Sequence, residues 1–261
     1  MRNGCFLIFF CFIQALFADE YVLNEFALHA DARDLSLGGL VCAFEPMPDN
    51  KLEITYLMTF QLKDLSIRKL DFSKTAFGLD WSVGWYQSGN ADWMENNLGL
   101  HVGKNLNENF YLGVKANVLW LDNAADGMSS ACFAELDCHY MLSEKLTIGL
   151  TLMNPGGFRI RSGNDRIPLS SAAFLGTRIS PAKKCLLFCE VATQLNHPLE
   201  GRLGLEYALN DALILRTGLS TAPMMPSWGI GGVLNQFRYS WGGNLHPILG
   251  MSNGFTLSVC W

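Results

Sequence analysis

Apolar and polar positions alternate with a period of two along most of this chain, the spacing of strand side chains that point to opposite faces. In residues 110–121, Phe110, Leu112, Val114, Ala116, Val118 and Trp120 share one face, and Tyr111, Lys115 and Asn117 the other. Leu146, Ile148, Leu150 and Leu152 alternate with Thr147, Gly149 and Thr151. Leu203, Leu205, Tyr207 and Leu209 alternate with Gly204, Glu206 and Ala208, and Phe255, Leu257, Val259 and Trp261 with Thr256, Ser258 and Cys260. The pattern predicts strands near 52–60, 63–70, 75–86, 93–104, 109–121, 129–141, 145–153, 169–180, 184–195, 200–209, 212–220, 227–234, 236–242 and 254–261. That is about 14 strands, with 12 to 16 allowed. Residues 35–45 read as one more strand or as an inward-folded plug.

The connections fall into two alternating sets. Asn107-Glu108, Ser143-Glu144, Pro181-Ala182-Lys183, Asn210-Asp211 and Asn235-Gln236 are short. Segments 87–92, 122–128, 154–168, 196–199, 221–226 and 243–253 are mostly longer and richer in Gly, Pro and Asn. Transmembrane barrels have this asymmetry, short on the periplasmic side and longer outside. With Trp261 at the periplasmic rim, every short turn lands there too. Tyr86, Trp93, Trp120, Tyr140, Trp228, Tyr239 and Trp241 fall near predicted strand ends, where aromatic girdles form.

Composition turns alternation into a membrane argument. The chain is 49% hydrophobic and only 16% charged, against about 25% charged in soluble domains. Beyond residue 18, no stretch approaches the ~20 apolar residues of a membrane helix. Backbone in lipid must satisfy its own hydrogen bonds, so the expected fold is all-β, a closed antiparallel transmembrane barrel. Arg2, the apolar run Phe6–Phe17 and Ala18 read as a signal peptide over 1–18. Residues 19–50 are then an N-terminal segment and 51–261 the barrel. Losing Arg2 leaves 18 basic against 24 acidic residues, a formal charge of −6, which argues against nucleic acid as a partner. Six cysteines remain, without zinc-site spacing.

The polar face carries both signs of charge. Its lumen-facing candidates are Glu95, His101, Lys115, Glu135, Asp137, His139, Arg178, Glu190, Arg202, Glu206, Arg216 and Arg238. Mixed charge favours a braced or plugged interior over ion selection. Glu135, Asp137 and His139 form an acid-acid-His row that could hold a metal, but no catalytic motif accompanies it, so the reading is no enzyme and no cofactor. Arg159, Arg161 and Arg166 lie in the longest outer loop, suited to phosphate or carboxylate. Phe255, Leu257, Val259 and Trp261 form the expected assembly signal for the barrel-assembly machinery. Gly231-Gly232 marks a kink, a gap or close packing. At the hairpin of Asn210, Asp211 and Ala212, shared faces require Glu206 opposite Arg216, and a three-residue turn meets that requirement.

Ala32-Arg33-Asp34-Leu35-Ser36-Leu37-Gly38-Gly39 resembles the opening of the PorV/PorQ-like barrels, relatives of the long-chain fatty-acid transporter (FadL-like) family. Leu52 to Gly89 is similar in its aromatic-rich strands. Tyr239-Ser240-Trp241 followed by His246-Pro247-Ile248-Leu249-Gly250-Met251-Ser252 resembles the PorQ-like ending. One departure is Glu45-Pro46-Met47-Pro48, where the transporter branch has an Asn-Pro-Ala type motif. The resemblance implies about 14 strands in the outer membrane. It implies either transport of small apolar or amphipathic molecules, or a non-transporting barrel that binds or assists secreted proteins at the cell surface as a type IX secretion accessory. Expected partners are outer-membrane lipid and either apolar small molecules or secreted proteins.

Overall fold

The computed structural model describes residues 31–42, 50–124, 127–162, 165–194 and 197–261. The predicted signal peptide and Glu45–Pro48 lie outside them. Residues 32–36 form a short helix, α1 (Ala32–Ser36). The strands follow in chain order: β1 (Asn50–Met58), β2 (Ser66–Ala76), β3 (Leu79–Gly89), β4 (Trp93–Asn105), β5 (Phe110–Asn123), β6 (Gly127–Ser143), β7 (Leu146–Met153), β8 (Arg159–Ser162) and β9 (Asp165–Pro168). The second half holds β10 (Ala172–Ala182), β11 (Cys185–Gln194), β12 (Glu200–Asn210), β13 (Leu213–Thr221), β14 (Met224–Leu234), β15 (Phe237–His246) and β16 (Gly250–Cys260).

Each wall strand pairs antiparallel with the next, β5 pairs with β6, and β1 pairs with β16, so the sheet closes. Setting aside β8 and β9, which form a side hairpin attached to β6 at Ser130 and Arg161, the wall has 14 strands. At the seam Leu52, Ile54 and Tyr56 face Val259, Leu257 and Phe255. The Asn50 side-chain amide donates to the Trp261 carbonyl at 2.9 Å, and the Trp261 N–H donates to Asn50 O at 3.2 Å. The Trp261 ring lies 6.4 Å from that of Phe72. No helix among the described residues is long and apolar enough to cross a membrane. The outward faces instead expose apolar side chains all around the wall, among them Ile54, Leu100, Val114, Leu175, Leu203 and Phe255. A continuous belt of this kind in a closed barrel is a lipid-facing surface.

Several expectations need correction. The first turn on the short-turn rim is Phe77-Gly78, both at positive φ, so residues 75–76 close β2 instead of opening β3. Asp64, within the strand expected near 63–70, sits exposed in a single 3-10 turn (Lys63–Leu65). Strands run further than alternation indicated, so β15 reaches His246 and the connection between β13 and β14 shrinks to Ala222-Pro223. Tyr86 is not a girdle residue: it is buried inside and its hydroxyl donates to Glu95. The longest loop is not irregular throughout, because Arg159 and Arg161 lie exposed on β8, and Arg166 pairs with Arg161 from β9.

The hairpin at Asp211 keeps the expected register by another route. Glu206 faces Arg216 and Leu205 faces Thr217, but Asn210 pairs with Leu213 and Leu209 is bulged out. A two-residue turn plus a one-residue bulge preserves side-chain parity as a three-residue turn would. Gly231 and Gly232 belong to a regular stretch of β14. A Cβ on Gly231 would come within 2.3 Å of the Arg216 guanidinium, so this glycine makes room and opens no gap.

Deleting Val259 to Trp261 removes two of the eight pairs of the seam, with the Trp261–Asn50 bonds, and leaves the short-turn end of β1 unpaired. The expected outcome is loss of the folded, heat-modifiable species on cold gels, checked against full-length protein made in parallel. Full recovery of that species would contradict the closure argument.

Candidate functional site: a plug on a glycine seat and the cavity above it

Residues 31–42 run through the interior, with α1 against β13 to β16. Asp31 caps the helix by accepting from the Asp34 N–H at 2.8 Å. The chain leaves it through Gly38 and Gly39, at φ +92 and +77, values that few side chains tolerate. The wall beneath is built from glycine. A Cβ on Gly218 would lie 2.3 Å from the Leu37 carbonyl carbon, and one on Gly242 would lie 2.1 Å from Ala32 O. Gly204 and Gly229 are similarly close to Leu37 and Ser36. The plug backbone therefore rests directly on the sheet.

Two carboxylates fasten it. Glu206 Oε2 accepts from Arg33 Nε of the plug at 2.9 Å and from Arg216 Nε at 2.7 Å, and Arg216 reaches Ser240 Oγ at 3.2 Å. Glu190 accepts from the plug N–H groups of Val41 at 3.0 Å and Cys42 at 2.8 Å. Arg202 joins the second site, donating to Glu190 at 3.2 Å, to Gly39 O at 2.7 Å, and through two nitrogens to Glu200 at 2.9 Å each. Thr256 Oγ1 accepts from Ala32 N–H, and Ser227 Oγ donates to Ser36 O. Burial, then the Glu190 carboxylate, pushes the Cys42 thiol upward. Burial, with Asp31 next, holds the Asp34 carboxyl well above the usual carboxylate range.

The lumen has a polar part and an apolar part. The polar part, on β4 to β6, is cross-braced. Asn97 donates to Asn117 at 2.9 Å, Asn117 to Glu135 at 2.6 Å, Lys115 lies 3.5 Å from Glu135, and His101 Nε2 meets Asp137 at 3.0 Å. The His139 ring stacks on Tyr111 at 4.6 Å. Arg178 stands half-buried on the lumen register of β10, and Arg238 is exposed at the short-turn rim. Among the described residues no group of three His, Cys, Asp or Glu is placed to hold a metal ion, and their six cysteines are free thiols. The apolar part faces the plug: Leu119, Leu121, Phe133, Met153, Phe174 and Phe188 pack with Leu35, Leu37, Leu40 and Val41. Alternation alone assigned these positions to the polar face. Their signal is the local loss of alternation, as in Val118-Leu119-Trp120-Leu121, where both faces are apolar.

Above the plug, at the long-loop rim, lies a cavity of about 350 Å³. Gly38 and Gly39 form its floor, with Phe60, Met225 and Ala222 as apolar walls and Glu200, Arg202 and His246 as polar ones. Phe60 meets the His246 ring edge-on at 5.6 Å.

These features define a class, the membrane-spanning β-barrel closed by 14 strands around an inserted segment. No known protein family's sequence profile matches the chain, and no curated protein does. Solved structures do. The Pseudomonas putida toluene transporter TodX superposes with a TM-score of 0.61 at 9% identity, over 88% of this chain and 96% of that one. The deltaS2 variant of the TodX monoaromatic hydrocarbon channel gives 0.63 at 9% identity, over 90% and 98%. A Pseudomonas aeruginosa FadL homologue gives 0.59 at 9% identity, over 87% and 97%. At such identities the likeness is one of fold.

Two predictions follow from the plug. Gly242→Val puts atoms where Ala32 O stands; overpacking of this kind costs about 1–3 kcal/mol. Thermal melting should fall and residues 31–42 should become open to protease, whereas an outward-facing Trp241→Phe change leaves both unaltered. The second concerns pH. A raised Asp34 pKa means that docking favours the neutral acid. Docking is supported in full below the ordinary carboxylate value and weakens as pH rises through the raised one. Asp34→Asn should therefore keep the segment protease-resistant at neutral and alkaline pH and flatten the wild-type pH dependence.

Proposed function

We propose that this chain is an outer-membrane barrel that passes small apolar or amphipathic molecules from the outside through the mouth cavity and past the plug. The observation that carries the reading is the apolar layer of the lumen, from Leu119 to Phe188, packed against the same plug whose Gly38 and Gly39 floor the cavity. A water-filled pore has no use for such a layer, and a soluble domain has no use for the outer apolar belt. The fold shared with TodX, described as a toluene transporter, supports the same assignment. In this reading the long-loop rim faces outward, and the short turns, with Trp261, face the periplasm. An N-terminal signal peptide and the barrel-assembly machinery bring the chain there. No catalytic step is part of it.

The non-transporting alternative, a barrel that assists secreted proteins, draws support from one observation. The plug fills the lumen with residues shut off from solvent, Leu35 and Leu37 at 0% exposure, and its sequence is one of the stretches that resemble PorV/PorQ-like barrels.

Uptake separates the two. Cells lacking their own hydrocarbon channels and expressing the barrel should take up naphthalene several-fold faster than cells with an empty vector, with no gain in sucrose permeability. Equal naphthalene uptake by the two strains, with the barrel folded in the membrane, would sink the transport reading.

A further inference from the structure

The charge and hydrogen-bonding character of the mouth cavity narrows the ligand class, an inference that rests on the transport reading above. We infer that the cavity selects an uncharged amphiphile, an aromatic or short aliphatic body bearing a hydroxyl, and disfavours carboxylates.

Arg202 is the cation in the cavity wall, and it is already engaged. Glu200 takes its Nε and one terminal nitrogen at 2.9 Å each, while Glu190 and Gly39 O take the other at 3.2 and 2.7 Å. A guanidinium has five N–H donors in a fixed fork, and four are committed to these acceptors. One positive charge thus faces two carboxylates, leaving the wall around Arg202 with a formal charge of −1. In an enclosure partly shielded from water, that excess repels an anion more strongly than it would in bulk solvent. An acid entering here would also have to displace Glu200 from its two-bond pairing.

The remaining polar groups suit a hydroxyl. Two backbone N–H groups, of Ile248 and Leu249, donate to His246 Nδ1 at 3.1 and 3.0 Å. Nδ1 is therefore the acceptor, and the neutral ring carries its proton on Nε2 as a donor. Glu200, in the same wall, keeps carboxylate lone pairs that accept from a hydroxyl and repel a carboxylate. Phe60, Met225 and Ala222 supply the apolar surface for the ligand body. A hydroxyl both donates and accepts, so it answers both kinds of group.

Size-matched probes test this: naphthalene, 2-naphthol and 2-naphthoate, titrated at neutral pH into full-length barrel purified in detergent and followed by probe fluorescence. The expected order of affinity is 2-naphthol, then naphthalene, then 2-naphthoate, with naphthol about tenfold tighter than naphthoate. Glu200→Gln removes one of the two acids. It should raise naphthoate affinity relative to that of naphthalene at least threefold, which ties the discrimination to this cavity. Naphthoate binding as tightly as naphthol, or unaltered by Glu200→Gln, would overturn the charge argument. Naphthalene binding as well as naphthol would overturn the hydroxyl preference while leaving the transport reading intact. Failure of all three to bind a folded, heat-modifiable barrel would overturn both.

Discussion

Backbone N–H and C=O groups have no water to turn to in hydrocarbon, and this requirement governs the molecule more than any side chain does. A sheet satisfies it only by closing. Closure sets the pairing of β1 with β16, and with it the value of an alternating terminal segment: Phe255, Leu257 and Val259 must present their apolar faces to lipid while Thr256 and Ser258 turn inward. Closure also creates a second problem. Fourteen strands enclose more space than their own inward side chains fill, since barrels of about eight strands are the ones just filled in this way.

The interior problem is solved by two chemistries. On β4 to β6 the wall fills itself with paired polar groups, such as His101 with Asp137 and Asn117 with Glu135. Burying such groups is tolerable because each finds a partner. The rest of the filler is a separate piece of chain, residues 31–42. It brings leucines for the apolar wall and a backbone whose polar groups must also be satisfied. Glu190 does so for the N–H groups of Val41 and Cys42, Arg202 for the carbonyl of Gly39, and Ser227 for that of Ser36. Glu190, Arg202, Glu206 and Arg216 are therefore not a pore lining. They hold the inserted segment, and that leaves little positive charge to offer a ligand at the mouth.

Most of the wall was legible in the sequence because alternation and turn composition are local properties. The strand count and the Glu206–Arg216 register follow from them, and so does the outward belt. The plug's seat was not legible. Gly204, Gly218, Gly229 and Gly242 are spread over four strands and become one surface only when those strands pair. A helix of five residues, α1, is too short to leave a periodic signature. The apolar layer was hidden for a different reason. Where both faces of a strand are apolar, as at Leu119 and Phe188, alternation lapses: parity still puts these positions on the inward face, but nothing in it says that this face is apolar there.

The hairpin between β12 and β13 shows why the register could be right while the turn was wrong. Parity demands that an odd residue be absorbed somewhere between Glu206 and Arg216, because their side chains must both point inward. Either a three-residue turn or a two-residue turn with one bulge absorbs it. The chain takes the bulge, at Leu209, and the β6–β7 and β10–β11 hairpins do the same, with shifts between Met141 and Ser143 and between Ile179 and Ala182. All three irregularities lie beside short turns. A bulge there tightens the local twist where the wall ends and leaves the ladder regular higher up, where Glu190, Arg202, Glu206 and Arg216 must meet the plug. Irregularity is thus confined to the rim, and the inner positions that hold residues 31–42 are set by uninterrupted pairing.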